Sequence, residues 1–422
     1  MADSIRRIFS YLVDGANLRG SIPVDLGHLS SLSNLIIKNN PNLTGKIPQH
    51  IGGKLSQLRQ LGLYGNGLSG TVPKNIFRLQ HLVYLNLSDN AFSGIVEWAE
   101  IAHHQKKLQR LILHNNEFEG SVQFHLLAKL PDLRVLGLSR NSFTGKIDTI
   151  GGLSLIEYLY LDENKFDGTL PESIGQLVEL KSLNLDDNEI YGPIPHTIGG
   201  LTEIEYLSAK GNTISGGMPS HMRLLTKLKT LNLANNALSG NLNNIAHMTQ
   251  LKNVHLYSNS FSGSLPEDLF GLRDLEVLFL SSNKLTGEIP EEIASAQKRM
   301  KGLYLSDNQL SGSLPAEICG LYRTEDLFLD SNKFEGALPW CMGNMANLRR
   351  FFAFNNVLSG WIPGDLLDLP HLVDIGLEDN KFTGGMELTC QRGVGSMNIW
   401  ADCDELAGGC ECCEKCCVEN SC

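Results

Sequence analysis

A chain of 422 residues is long enough for two or three ordinary domains or for one elongated domain of repeats, and 42% hydrophobic residues with 42 glycines suit either. Thirty-five basic against 46 acidic side chains give a net charge of −11 with no basic run, which argues against nucleic acid or an anionic membrane surface as partner. No stretch approaches the roughly eighteen consecutive apolar residues that cross a bilayer, so no membrane-spanning segment is expected.

The chain begins "MADSIRRIFSYLVDGANL", whose apolar run is shorter than a signal-peptide core, so no secretion signal is visible in it. From residue 8 a template, LxxLxLxxNxLxGxIP, recurs with starts at 8, 32, 58, 82, 108, 133, 156, 180, 204, 228, 251, 275, 300, 324, 348 and 372. Sixteen in-register copies spaced 23 to 26 residues apart are a repeat signature, not coincidence. Positions four and six, such as Leu183 and Leu185, are expected to point inward from a short strand, with positions three, five and seven facing solvent. Stacked strands then make one parallel sheet, and each unit buries its apolar side only against its neighbours.

The ninth-position asparagines, Asn66, Asn90 and Asn116 through Asn380, are read as an internal ladder that pairs backbone groups left unmet at the turn. The thirteenth-position glycines, Gly70 through Gly384, mark a bend with positive φ. Four units replace the proline at position sixteen, with Glu97, Gln123, Asp148 and Asn243, and the segment 97–107 is expected to be helical.

The "LSGxIP" half of the unit, as in Leu68 to Pro73 and Leu285 to Pro290, resembles the plant-type leucine-rich repeat class. The resemblance implies an α/β solenoid, a right-handed superhelix with a parallel concave sheet and a convex side mostly of 3₁₀ turns and loops. It also implies a secreted or cell-surface recognition module. Residues 1–31 are taken as a degenerate first repeat or makeshift cap, 32–387 as the solenoid and 388–422 as a cysteine-rich C-terminal cap or tail.

On the solvent-facing strand positions, Phe279, Tyr304, Phe328 and Phe352 occupy the fifth place of four consecutive units. His255 extends the row, and Tyr257 and Phe354 flank it at the seventh. Arg349 and Arg350, with Glu325 and Asp326, would supply a polar rim. These residues form the candidate ligand-binding site for a protein or peptide, against the blander reading that cross-strand aromatic pairs only strengthen the sheet. A second feature is acidic: Glu157, Asp162, Glu163, Asp186, Asp187 and Glu205, interleaved with Tyr158, Tyr160 and Tyr206. It reads first as a solvated face and second as an attractor of a basic partner or a weak calcium ion.

Cys390, Cys403, Cys410, Cys412, Cys413, Cys416, Cys417 and Cys422 crowd the tail, an even set permitting 105 pairings. Its "ADC" and "CxCCxxCC" resemble C-terminal segments of leucine-rich repeat proteins from diatoms and related microalgae. Disulfides in an oxidising compartment fit best, with a thiolate zinc site and S-palmitoylation as alternatives. Cys319 and Cys341, on the convex side of adjacent units, suit either a bridge or two buried thiols. Sequons stand at Asn42 and Asn86.

No Walker loop, HExxH or GxSxG is present, so no enzyme, metal or cofactor is expected. The function expected is recognition of a protein or peptide through the concave face, at the cell surface or outside the cell, with glycan as a further partner. The alternative is a structural or adhesion protein of the cell envelope that binds polysaccharide or ice.

Overall fold

Position-for-position pairing of short strands builds the molecule. In a computed structural model that describes residues 8–296, 299–385, 398–401 and the backbone of 415–416, the chain divides into two compact units, Met1–Ile214 and Ser215–Cys422. In the first, the strands Ser10–Asp14, Asn34–Lys38, Gln60–Gly62, Tyr84–Asn86, Arg110–Ile112, Val135–Gly137, Tyr158–Tyr160, Ser182–Asn184 and Tyr206–Ser208 pair in parallel in that order. In the second, Thr230–Asn232, Asn253–His255, Val277–Phe279, Gly302–Tyr304, Asp326–Phe328, Arg350–Phe352, Asp374–Gly376 and Asn398–Ala401 do the same. Each unit is a leucine-rich repeat solenoid, and Asn398–Ala401 carries the sheet one strand into the segment beyond residue 387.

Alternation along the strand puts the leucines inside. Leu183, Leu185, Leu278 and Leu303 are fully buried, while the side chains between them face outward. A second parallel ladder in each unit follows the asparagine turn, with Phe92, Phe118, Phe143 and Phe166 buried beneath it in the first unit.

The asparagine ladder runs through each unit. Asn188 accepts from the Phe166 amide at 3.0 Å and turns its own amide hydrogens toward the carbonyls of Leu161, Leu185 and Asp186 at 3.0–3.1 Å. Gly70 to Gly360 take positive φ as expected, but in the last unit that conformation falls at Gly385 (φ 110°). The register slips there, pairing Trp361 with Gly384.

Short helical turns, most of them opened by proline, make the convex side. Pro171 is extended and its carbonyl accepts from Ile174, starting the 3₁₀ turn Glu172–Gln176. Successive turns stack closely: a Cβ on Gly175 would lie 2.3 Å from the Thr197 carbonyl oxygen. α-Helices Trp98–His104 and Phe124–Leu127 follow Glu97 and Gln123, but Gln49–Lys54 and Gly364–Leu367 are α-helical after Pro48 and Pro363, and 3₁₀ turns follow Asp148 and Asn243, so the missing proline alone does not set the helix type. Cys319 and Cys341 form a disulfide between neighbouring turns, with Cα atoms 5.7 Å apart. Cys390, Cys403, Cys410, Cys412, Cys413, Cys417, Cys422 and the Cys416 side chain lie outside the described residues.

Candidate functional site

The register of the second unit turns a sequence pattern into a surface. Val277 pairs with Gly302, Leu278 with Leu303 and Phe279 with Tyr304, and the same alignment runs on through Phe328 and Phe352. Fifth-position rings therefore stand side by side. His255 lies 6.2 Å from Phe279, which stacks on Tyr304 at 4.3 Å and 10°. Tyr304 meets Phe328 edge-on at 5.0 Å, and Phe328 meets Phe352 at 4.8 Å. Tyr257 and Phe354 flank the row, at 4.7 Å from Phe279 and 6.2 Å from Phe352. All nine residues named from the sequence for this site are brought together on one face or its rim. Each ring is half-buried, not freely exposed, because its neighbours cover its faces.

Two glycines shape the row, and the sequence reading missed both. A Cβ on Gly302 would come within 2.5 Å of the Tyr304 ring, so the bare backbone there is what lets Tyr304 lie back across its strand. Its hydroxyl then donates to Asp326 at 2.6 Å. Gly376 stands at the fifth position of the next strand, a notch whose missing Cβ would press on Phe352 at 2.9 Å. Beyond the notch Trp400 resumes the row, 6.1 Å from Phe352. Trp400 is visible in the sequence only if the period is carried past residue 387 into "MNIWADC".

Charge stands at the third position of three neighbouring strands, at Asp326, Arg350 and Asp374. Arg350 grips Asp326 with two hydrogen bonds of 2.6 and 2.7 Å and lies 5.3 Å over the Phe328 ring. Burial alone would raise Asp326, but the bonds from Arg350 and Tyr304 outweigh it and hold the carboxyl below its usual range. Burial and the Asp326 carboxylate push the Tyr304 hydroxyl up, so it stays a donor. Burial pushes His255 down, keeping it neutral. Arg349 is only 3.9 Å from Glu325 at the rim, and these side chains with Val373 and Asp374 bound a depression of about 320 Å³. The face thus combines stacked rings, a bare glycine and a fixed ion pair.

The acidic patch of the first unit is smaller than its residue list. Glu157 is taken by Arg134 at 2.8 Å and Lys181 at 2.7 Å, and Glu163 by Arg140 at 2.8 Å. Among the described residues no group of three or more His, Cys, Asp or Glu is placed to hold a metal ion. Asp162 accepts from Ser139 at 2.5 Å, and Asp186 accepts from Ser208 and from the Lys210 amide. Burial nevertheless raises both carboxyls.

The sign of the Asp186 effect is therefore the reverse of an ion-paired carboxylate. A group whose folded pKa lies above its unfolded value stabilises below the unfolded value and loses that contribution as pH rises through the folded one. Asp186→Asn, which keeps the acceptor oxygen without the charge, is expected to raise the melting temperature at pH 7, with the gain gone below the reference value of 3.8. Thermal unfolding followed from pH 7 to pH 3 checks it, and equal gains at both ends would contradict it.

Of the two sequons, Asn42 is exposed, whereas Asn86 is 7% exposed with its amide donating to the Tyr84 hydroxyl. No helix among the described residues is long and apolar enough to cross a membrane.

Comparison with known proteins gives the context. A leucine-rich repeat region model matches residues 115–286, and a leucine rich repeat model matches residues 299–321. Receptor-like protein 35 of Arabidopsis thaliana is 34% identical over 134 residues, 32% of this chain and 13% of that protein, so the chain matches a small part of this curated relative's length. Among solved structures, the plant peptide hormone receptor RGFR1 in complex with RGF2 is 30% identical with a TM-score of 0.83, covering 94% of this chain and 68% of that one. The Arabidopsis receptor kinase HAESA, in complex with the peptide hormone IDA and the co-receptor SERK1, is 30% identical with a TM-score of 0.81, covering 94% and 71%. With the repeat, both ladders and these likenesses in agreement, the chain belongs to the leucine-rich repeat family, in its plant-type form.

Proposed function

We propose that this protein is a non-enzymatic, receptor-like recognition module that binds a peptide or protein segment across the strand face of its second unit, outside the cell or at its surface. The observation that carries the reading is the row from His255 to Trp400, interrupted only by the notch at Gly376. Rings that cover one another's faces leave their edges to solvent, and Phe352 and Trp400 lean toward each other over the bare Gly376 backbone, so the row offers a continuous edge of rings rather than an open slot. Buried aromatic and arginine anchors of this kind carry most of the energy at interfaces. The Tyr304–Asp326–Arg350 network holds the polar side of the row in one geometry, so little ordering cost remains for binding. The peptide complexes of RGFR1 and HAESA support the reading by likeness of fold and family.

The test is selection of a displayed random-peptide library on the intact chain, followed by affinity measurement for the enriched peptides. Phe328→Ser and Phe352→Ser are expected to weaken binding by about tenfold or more each. Peptides that bind with unchanged affinity after both changes would remove the row from the site.

A further inference from the structure

The strand face of the unit Met1–Ile214 carries a different ring cluster, built from phenols. Tyr158, Ser182 and Tyr206 are register partners on three successive strands, so a serine stands between two tyrosines. With parallel strands about 4.8 Å apart, the two rings are rooted about 10 Å from each other, and Ser182 between them is 8% exposed, the covered floor of the cluster. One column over, Tyr160 pairs with Asn184. These side chains, with Lys181 and Glu205, enclose a depression of about 460 Å³. A second depression of about 440 Å³ shares Tyr158 and Tyr160 and reaches Arg110. The two slots thus adjoin at one tyrosine pair, whose ring centres are 6.5 Å apart.

The chemistry differs from the phenylalanine row. There the phenol within the row, Tyr304, spends its hydroxyl on Asp326, and Tyr257 only flanks the row. Here every ring is a phenol, and an amide, a hydroxyl, an ammonium and a carboxylate stand among them. Asn184 accepts from the Asp186 amide at 3.1 Å through its oxygen, which leaves its NH₂ group as a donor at the slot. A ligand matched to alternating apolar faces and polar edges is itself a ring with C–H faces and hydroxyls around its rim.

Charge narrows the class. Two of the three cations at the slots are answered by carboxylate, since Glu157 holds both Arg134 and Lys181, and the third, Arg110, lies over the Tyr84 ring at 5.8 Å. Asp162 and Asp186 stand at the seventh position of the strands that carry Tyr160 and Asn184, adding negative potential against an acidic ligand.

We infer that this face is a saccharide site for a neutral pyranoside chain, with one sugar seated between Tyr158 and Tyr206 and the next beyond the Tyr158–Tyr160 pair. The site shares no residue with the peptide-binding row, so either can fail without the other.

The experiment is titration calorimetry of the intact chain with cellotetraose, laminaritetraose and tetragalacturonate. One of the two neutral tetraoses is expected to bind. Tyr158→Ala and Tyr206→Ala should each weaken it by about tenfold, with Phe328→Ser leaving it unchanged. Ser182→Leu, which crowds the covered floor and pushes the neighbouring rings into the depression, should abolish binding without loss of the folded circular dichroism spectrum. Heat from neither neutral sugar, tighter binding of the uronate, affinity untouched by Ser182→Leu, or displacement of the sugar by a peptide selected on the phenylalanine row would each overturn the proposal.

Discussion

Asn164→Ala is expected to lower stability by about 2–6 kcal/mol, among the largest single losses available in this chain. Asn164 is 8% exposed and stands where one coil turns out of its strand. Its side-chain oxygen accepts from the Phe143 amide at 3.0 Å, and its amide hydrogens face the carbonyls of Leu138, Leu161 and Asp162 at 3.0–3.1 Å. These groups do not all suffer equally. Leu138 keeps a bond from Asn141 and Leu161 one from Asn188, so both carbonyls lose only one of two partners. The Phe143 amide loses its acceptor outright, costing about 1–3 kcal/mol for a buried donor, and each weakened carbonyl adds about 0.5–1.5 kcal/mol.

Asn164→Asp separates the two halves of that sum. The carboxylate still accepts from Phe143 but turns oxygen toward three carbonyl oxygens, so its folded pKa must rise. Its stability should recover as pH falls through that raised value, because the protonated acid can donate again. Denaturant unfolding from pH 7 to pH 4 reads the recovery, and hydrogen exchange on Asn164→Ala reads the place: there the Phe143 amide should exchange faster while distant coils stay protected. Uniform exchange along the chain would show that the ladder does not act locally.

That ladder was legible in the sequence because chemistry permits few alternatives to asparagine there: one side chain must both donate and accept within two bonds of a strand end. The inward leucines were legible for a similar reason, since a two-residue alternation leaves no choice of face. The left-handed eighth position was not read. Arg140, Glu163 and Ser258 adopt positive φ there with no glycine to announce it, and the signal was the scatter of Asn, Asp, Ser and Gly immediately before the ladder residue. For the candidate site, the ring row followed from register alone. Gly302 and Gly376 did not, because a glycine that makes room for a neighbouring ring looks in sequence like any other strand residue. The Tyr304–Asp326–Arg350 network was also hidden, since it joins positions five, three and three of separate coils. Sequence periodicity gives columns, and only coordinates show which columns lean across to one another.

Phe118→Ala is the second large effect, at about 3–5 kcal/mol, and it decides what the rings of the strand face are for. Phe118 is 1% exposed and lies between Phe92 at 6.3 Å and Phe143 at 6.1 Å, nearly parallel to both. Truncation there leaves a cavity that the neighbouring coils, each fixed by its own ladders, have little freedom to close. Phe328 also stands between two rings, Tyr304 at 5.0 Å and Phe352 at 4.8 Å, but it is half-buried and solvent can take the vacated space. Two cross-strand pairs at about 0.2–1 kcal/mol each limit the cost of Phe328→Ala to about 2 kcal/mol. If the row serves recognition, the two substitutions should differ by at least about 1 kcal/mol in denaturant unfolding. The cheaper one should be the one that damages binding. Equal costs would mean that the exposed row holds the sheet together as the buried ladder does, and a structural requirement would then explain the four consecutive rings without any ligand.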